Sequence, residues 1–85
     1  METIIRKTRL WFNEGTSDKV YVARVIQTED GYYEVRASWG RRGKTMRDQT
    51  KGRFSTEWQA IKAYFILVDS KRVKGYTVTE RTAFC

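Results

Sequence analysis

Only one segment of this 85-residue chain places apolar residues at helical spacing. Between Ser55 and Lys74, the residues Trp58, Ile61, Phe65 and Val68 form a stripe, which Tyr64 widens. Thr56 and Gln59 stand at capping-box spacing, with Ser55 as a rival cap. Lys71, Arg72 and Lys74 crowd the last turn, where positive charge suits the helix dipole, and Gly75 supplies a stop. The rest is patterned for strands. Val20 to Gln27 is rich in β-branched residues, and from Tyr32 to Trp39 the chain alternates, with Tyr33, Val35, Ala37 and Trp39 on one face. Asp30-Gly31 between these runs tolerates the positive φ of a tight turn, so they read as a hairpin. Ile4 to Phe12 is a further strand, followed by a loop over Asn13 to Ser17. Lys44 to Lys51 is polar on both faces, as an exposed edge strand would be, and Tyr76 to Glu80 resumes a β pattern. The expected fold is α+β: an antiparallel sheet of four to five strands with one packed helix, forming a single domain over residues 1–85. On this stripe Trp58 is expected in the core, and Trp11, beside Leu10 and Phe12, is expected to be structural.

Charge is distributed unevenly. Arg36 to Arg53 holds seven basic residues (Arg36, Arg41, Arg42, Lys44, Arg47, Lys51 and Arg53) against the single acid Asp48, most of the chain's net charge of +7. A basic segment that concentrated is the footprint of a polyanion-binding surface, or else a solvated face that maintains solubility. The lone cysteine, Cys85, excludes an internal disulfide and reads as a tolerated thiol in a reducing compartment. The opening residues METIIRKTRLWF lack the apolar core of a signal peptide, and the longest apolar run, Ala63 to Val68, is too short to span a bilayer. An intracellular location is expected, cytoplasmic and nucleoid-associated if the source is bacterial.

Catalysis finds little support. The chain contains no histidine, which removes imidazole acid–base chemistry and most zinc sites. Its acidic residues are scattered and form no evident pair. Gly43-Lys44-Thr45 looks like the end of a phosphate-binding loop, but Ser38 occupies the position of the required first glycine and no helix pattern follows. No enzyme activity, metal or cofactor is expected.

Trp39-Gly40-Arg41 followed by Gly43 resembles the signature of the WGR domain, and the resemblance spans nearly the whole chain. Leu10-Trp11-Phe12 looks like the family's first strand, Ser17-Asp18-Lys19-Val20-Tyr21 is similar to the loop and strand that follow, and Lys74-Gly75-Tyr76 resembles its closing turn. WGR domains of the DNA-damage-activated poly(ADP-ribose) polymerases bind at DNA breaks, and small bacterial proteins also carry them. The resemblance implies DNA binding with a preference for ends or nicks, as in DNA repair, with DNA a better candidate than RNA. It implies that Trp39 packs on a terminal sugar, that Arg41 contacts the nucleic acid nearby, and that Lys19 and Tyr76 lie near the terminal phosphate. Physical chemistry supports such roles. An indole can cover the flat face that a terminal nucleotide exposes, and a guanidinium fork matches phosphate oxygens. Gly40 lacks the Cβ that would obstruct close approach of a backbone.

Two positions depart from the family pattern. Arg42 stands where a small aliphatic residue usually follows the motif arginine, and with Lys44 it extends the basic stretch. Asp18 stands where relatives often carry a neutral amide, and a carboxylate there is unfavourable beside DNA. By its strand parity alone Trp39 could equally be a core residue at the sheet margin; the resemblance favours a partly exposed, ligand-facing role. The expected partner is nucleic acid, bound by a monomer through Trp39, Gly40, Arg41, Arg42, Lys44, Lys19 and Tyr76. The alternative is a protein-interaction module, since in the polymerases the domain also touches its neighbours.

Overall fold

Two long strands, β1 (Thr3–Glu14) and β2 (Ser17–Gln27), form the centre of the sheet and pair antiparallel through Gly15, which takes φ 61° in the connecting turn. The computed structural model describes residues 2–83, with side chains to Arg81; the cysteine at position 85 lies outside the described residues. β3 (Tyr33–Arg41) follows through the turn at Gly31, and β4 (Arg47–Phe54) through the turn at Gly43. A helix, α1 (Glu57–Val73), then crosses back, and β5 (Thr77–Ala83) pairs with the free side of β1. The five-stranded antiparallel sheet has the order β4-β3-β2-β1-β5, so the fold is α+β as the sequence implies. β4 is an edge strand, as its polarity suggests. The strands run longer than expected: the loop over Asn13 to Ser17 contracts to Gly15-Thr16, and Trp39 to Arg41 lies inside β3.

Register determines what the helix meets. The row Leu10–Tyr21–Trp39 faces α1, as does the row Thr8–Ala23–Ala37. The small residues of the second row leave room for Tyr64, whose hydroxyl pairs with that of Thr8 beneath it. Ala60, Tyr64 and Val68 are the fully buried helix residues. Thr56 caps the helix, its hydroxyl accepting from the Gln59 amide at 3.3 Å. At the other end the Gly75 amide donates to the Arg72 carbonyl and the Tyr76 amide to that of Lys71, a Schellman motif that relies on Gly75 at φ 108°.

The expected apolar stripe is rotated on the helix. Of Trp58, Ile61, Phe65 and Val68, only Val68 is fully buried, and Trp58 is 70 % exposed instead of belonging to the core. The helix has apolar residues on two faces, and spacing alone does not choose between them. The sheet does: its row of small residues accepts Ala60 and Tyr64, and Tyr64 satisfies the buried Thr8 hydroxyl.

Candidate nucleic-acid interface

Alternation along β3 separates the motif. Trp39 and Arg41 point to the helix-bearing side of the sheet, and Gly40 lies on the reverse. Lys19 pairs directly across from Arg41, and Phe12 across from Lys19, so the row Phe12–Lys19–Arg41 follows the row Leu10–Tyr21–Trp39 on the same side. The Schellman turn at the end of α1 delivers Tyr76 to this place, just before β5 begins. Its ring lies 5.4 Å from that of Phe12 and edge-on to Tyr21 at 6.2 Å, while Tyr21 stacks on Trp39 at 6.1 Å. The result is a continuous aromatic floor, Phe12–Tyr76–Tyr21–Trp39, at the C-terminal end of the helix.

Cations surround that floor. Lys71 Nζ lies 4.6 Å above the Tyr21 ring and Lys51 Nζ lies 4.7 Å above Trp39. Lys19, Lys71 and Lys74 line a hollow whose apolar lining is Phe12 and Tyr76. Partial burial holds the Lys71 ammonium below the ordinary lysine range, and the nearby charges of Lys74 and Lys51 push the same way. The Tyr21 hydroxyl is buried and has no hydrogen-bond partner among the described residues. Burial, followed by the neighbouring Tyr76, pushes its pKa up. An anion entering here would relieve the crowding of positive charge. Trp39 is half-buried, stacked on Tyr21 and with the Lys51 ammonium over its ring. Arg41 donates to the Thr16 carbonyl at 3.2 Å and is otherwise exposed.

Gly40 has a structural reason of its own. A Cβ there would approach Met46 Cα at 3.2 Å and the Thr45 carbonyl at 3.3 Å, so the absent side chain makes room for the chain's own backbone at the start of β4. Arg42 leaves the cluster altogether. It points to the reverse face, where its Nε donates to Asp18 at 3.0 Å and its guanidinium lies 5.0 Å over the Trp11 ring. The Trp11 indole donates to the other Asp18 oxygen at 2.6 Å. The carboxylate that looked unfavourable beside DNA is therefore a staple tying β1, β2 and β3 together on the opposite side. Lys44 is exposed in the β3–β4 turn.

The basic segment is similarly divided. Arg36 pairs with Glu2 and Glu34, and Arg53 with Glu34 and Asp30. Asp48 accepts from Arg24 at 2.7 Å and from Ser38 at 2.6 Å. Three of the seven basic residues are thus engaged by carboxylates. The cations around the aromatic floor come from four separated elements: Lys19 from β2, Arg41 from β3, Lys51 from β4, and Lys71 and Lys74 from the helix end. Sequence reasoning does not assign Phe12, Tyr21, Lys71 or Lys74 to such a cluster, and it reads Lys51 only as part of the basic segment. The helix-end lysines read as partners of the helix dipole, and Lys74 also as part of the closing turn, because the spacing of Gly75 does not say over which strands the helix ends.

The staple has a pH signature. The hydrogen bond from Trp11 and then the Arg42 guanidinium hold the Asp18 carboxyl below its ordinary value of 3.8. A carboxyl whose pKa is lowered by folding contributes stability that is present above that value and is lost as pH falls through the folded-state pKa. Asp18→Asn should therefore melt below the parent at pH 7, and the gap should close as pH falls below about 4. Melting curves between pH 7 and 3 test this; a gap that stays constant would mean the ionised carboxylate has no role.

Among the described residues, no helix is long and apolar enough to cross a membrane. No curated protein and no solved structure matches the chain. The WGR-domain family model matches residues 6–83, from within β1 through the helix to the end of β5. The chain belongs to the WGR-domain family, a family known for nucleic-acid binding.

Proposed function

We propose that this chain is a non-catalytic DNA-binding module that prefers ends or nicks, and that its binding surface is the helix-bearing end of the sheet. The observation that carries the reading is the convergence of Trp39, Tyr21, Tyr76 and Phe12 with Arg41, Lys19, Lys71 and Lys74 on one side. An uninterrupted duplex offers phosphates but hides the flat faces of its nucleotides, so cations alone would suffice for it. An aromatic floor ringed by cations suits a strand terminus, where a sugar or base face and a phosphate are exposed together. In this mechanism Lys51 swings off Trp39 onto a phosphate, the indole covers the terminal sugar, and Arg41 holds the adjacent phosphate through its fork. Lys19 and Lys74 neutralise the terminal phosphate in the hollow against Tyr76. Arg42 acts on the other face, by positioning the β2–β3 frame through Asp18.

Titration of a labelled linear duplex against a hairpin-closed duplex of equal length is the direct test. The linear form should bind more tightly. If roughly three to five phosphates are engaged, log K should fall against log salt with a slope of about −3 to −5. Equal affinity for the two duplexes would remove the end preference, and a flat salt response would remove the electrostatic surface.

A further inference from the structure

α1 presents apolar side chains on two opposed faces. Ala60, Tyr64 and Val68 lie against the sheet. The outward face carries Trp58, Phe65, Ile66 and Val73, which are 70 %, 48 %, 63 % and 89 % exposed. Trp58, Phe65 and Ile66, with Lys62 and Asp69, line a shallow hollow on this side. Helices apolar on both sides are normally covered on both, and contiguous exposed apolar patches mark docking surfaces.

The order of residues on this face says what covers it. We propose that it packs against the same face of a second copy of this chain, with the two helices antiparallel about a two-fold axis passing between Phe65 and Ile66. That axis sets Phe65 against Ile66, Lys62 against Asp69 and Trp58 against Val73, each pair formed twice. All six positions fall within an arc of about 100° at 3.6 residues per turn. The centre and both ends of the contact are apolar, and an ammonium meets a carboxylate between them. Parallel packing would set Lys62 on Lys62 and Asp69 on Asp69, so the charges select the antiparallel arrangement. Both charged groups are placed to turn across the axis: Lys62 Nζ rests 5.2 Å from the Trp58 ring centroid, and Asp69 makes a long, exposed 3.5 Å contact with Arg72. A single pair of 17-residue helices makes a small interface, of the size that weak, transient complexes use. The proposal replaces the monomer expected from sequence. It does not rest on the nucleic-acid reading, since the aromatic floor lies on the sheet, beneath Lys71, and Trp58, Phe65 and Ile66 face away from the sheet.

Sedimentation velocity on the full chain, from low micromolar to near-millimolar concentration, tests the pairing. The parent should show a reversible monomer–dimer equilibrium, and Ile66→Glu should remain monomeric throughout. Lys62→Glu and Asp69→Lys should each weaken dimerisation by about tenfold, because each replaces two opposite-charge contacts by like-charge ones. Combined, Lys62→Glu and Asp69→Lys should recover the parent affinity to within about threefold. Circular dichroism confirms that each variant is folded. A parent that stays monomeric, a dimer indifferent to Ile66→Glu, or a double variant that fails to recover would each overturn the proposal. So would a monomeric parent whose DNA affinity falls with Ile66→Glu, which would assign this face to nucleic acid.

Discussion

Trp39→Ala is expected to erase the preference for linear over hairpin-closed duplex and to weaken binding to the linear form by about 1–3 kcal/mol, the range for loss of one base–aromatic stack. The slope of log K against log salt should barely change, because stacking releases no counterion. The variant should also melt lower. Trp39 is half-buried and stacked on Tyr21, so roughly half of the 3–5 kcal/mol lost on truncating a buried tryptophan applies. That corresponds to a fall of about 10 °C for a domain of this size. Arg41→Ala should behave in the opposite way, with melting little changed and a salt slope smaller by about one unit. Arg42→Ala is the control: it removes the same charge from the reverse face, so end preference should persist. Should melting collapse in Trp39→Ala, Trp39→Phe retains a ring on Tyr21 and reports on binding in a folded chain. A stable Trp39 variant that still prefers ends would rule out capping by the indole.

Tyr64→Ala should unfold the protein or nearly so. The side chain is 1 % exposed and lies over the small-residue row of the sheet. Truncating a buried aromatic costs about 3–5 kcal/mol, a large part of the 5–15 kcal/mol that holds a typical domain together. Tyr64→Phe separates packing from hydrogen bonding. It keeps the ring but strands the Thr8 hydroxyl in the core, at about 1–3 kcal/mol. Adding Thr8→Val removes the orphaned group and should restore most of that loss. Urea midpoints for the single and double variants decide it. If Tyr64→Phe matched the parent, the hydroxyl pair would contribute nothing to the fold.

Much of this architecture was legible beforehand, and the reasons are local. The Asp30-Gly31 turn, the alternation through Trp39 and the Thr56 cap are each encoded within a few residues. Trp58 was misplaced because period alone cannot tell which of two apolar helix faces meets a sheet; that depends on Thr8, Ala23 and Ala37, which lie in other strands. The cluster shows the same division. Trp39 and Arg41 stand out as neighbours in sequence, and their common side follows from strand parity. Lys71 and Lys74 join them only because the helix crosses the sheet and ends above Tyr21. Charge density misled at Arg36, Arg42 and Arg53, whose carboxylate partners are as distant in sequence as Glu2 and Asp18.

The pairing of β5 with β1 has a consequence for the order of events during folding. β1 to β4 form successive hairpins between near neighbours, whereas the last strand pairs residue 6 with residue 83. Loop-closure entropy makes such a distant contact slow to form relative to hairpins. Trp39, Arg41 and Lys19 can therefore assemble early, on the meander alone. Lys71, Lys74 and Tyr76 arrive only when the helix has crossed and the final strand has docked. A chain arrested before that step, on the ribosome or by truncation, would have the indole and its arginine but not the lysine-lined hollow, so under the proposed function the capacity to hold a terminal phosphate would report that folding is complete.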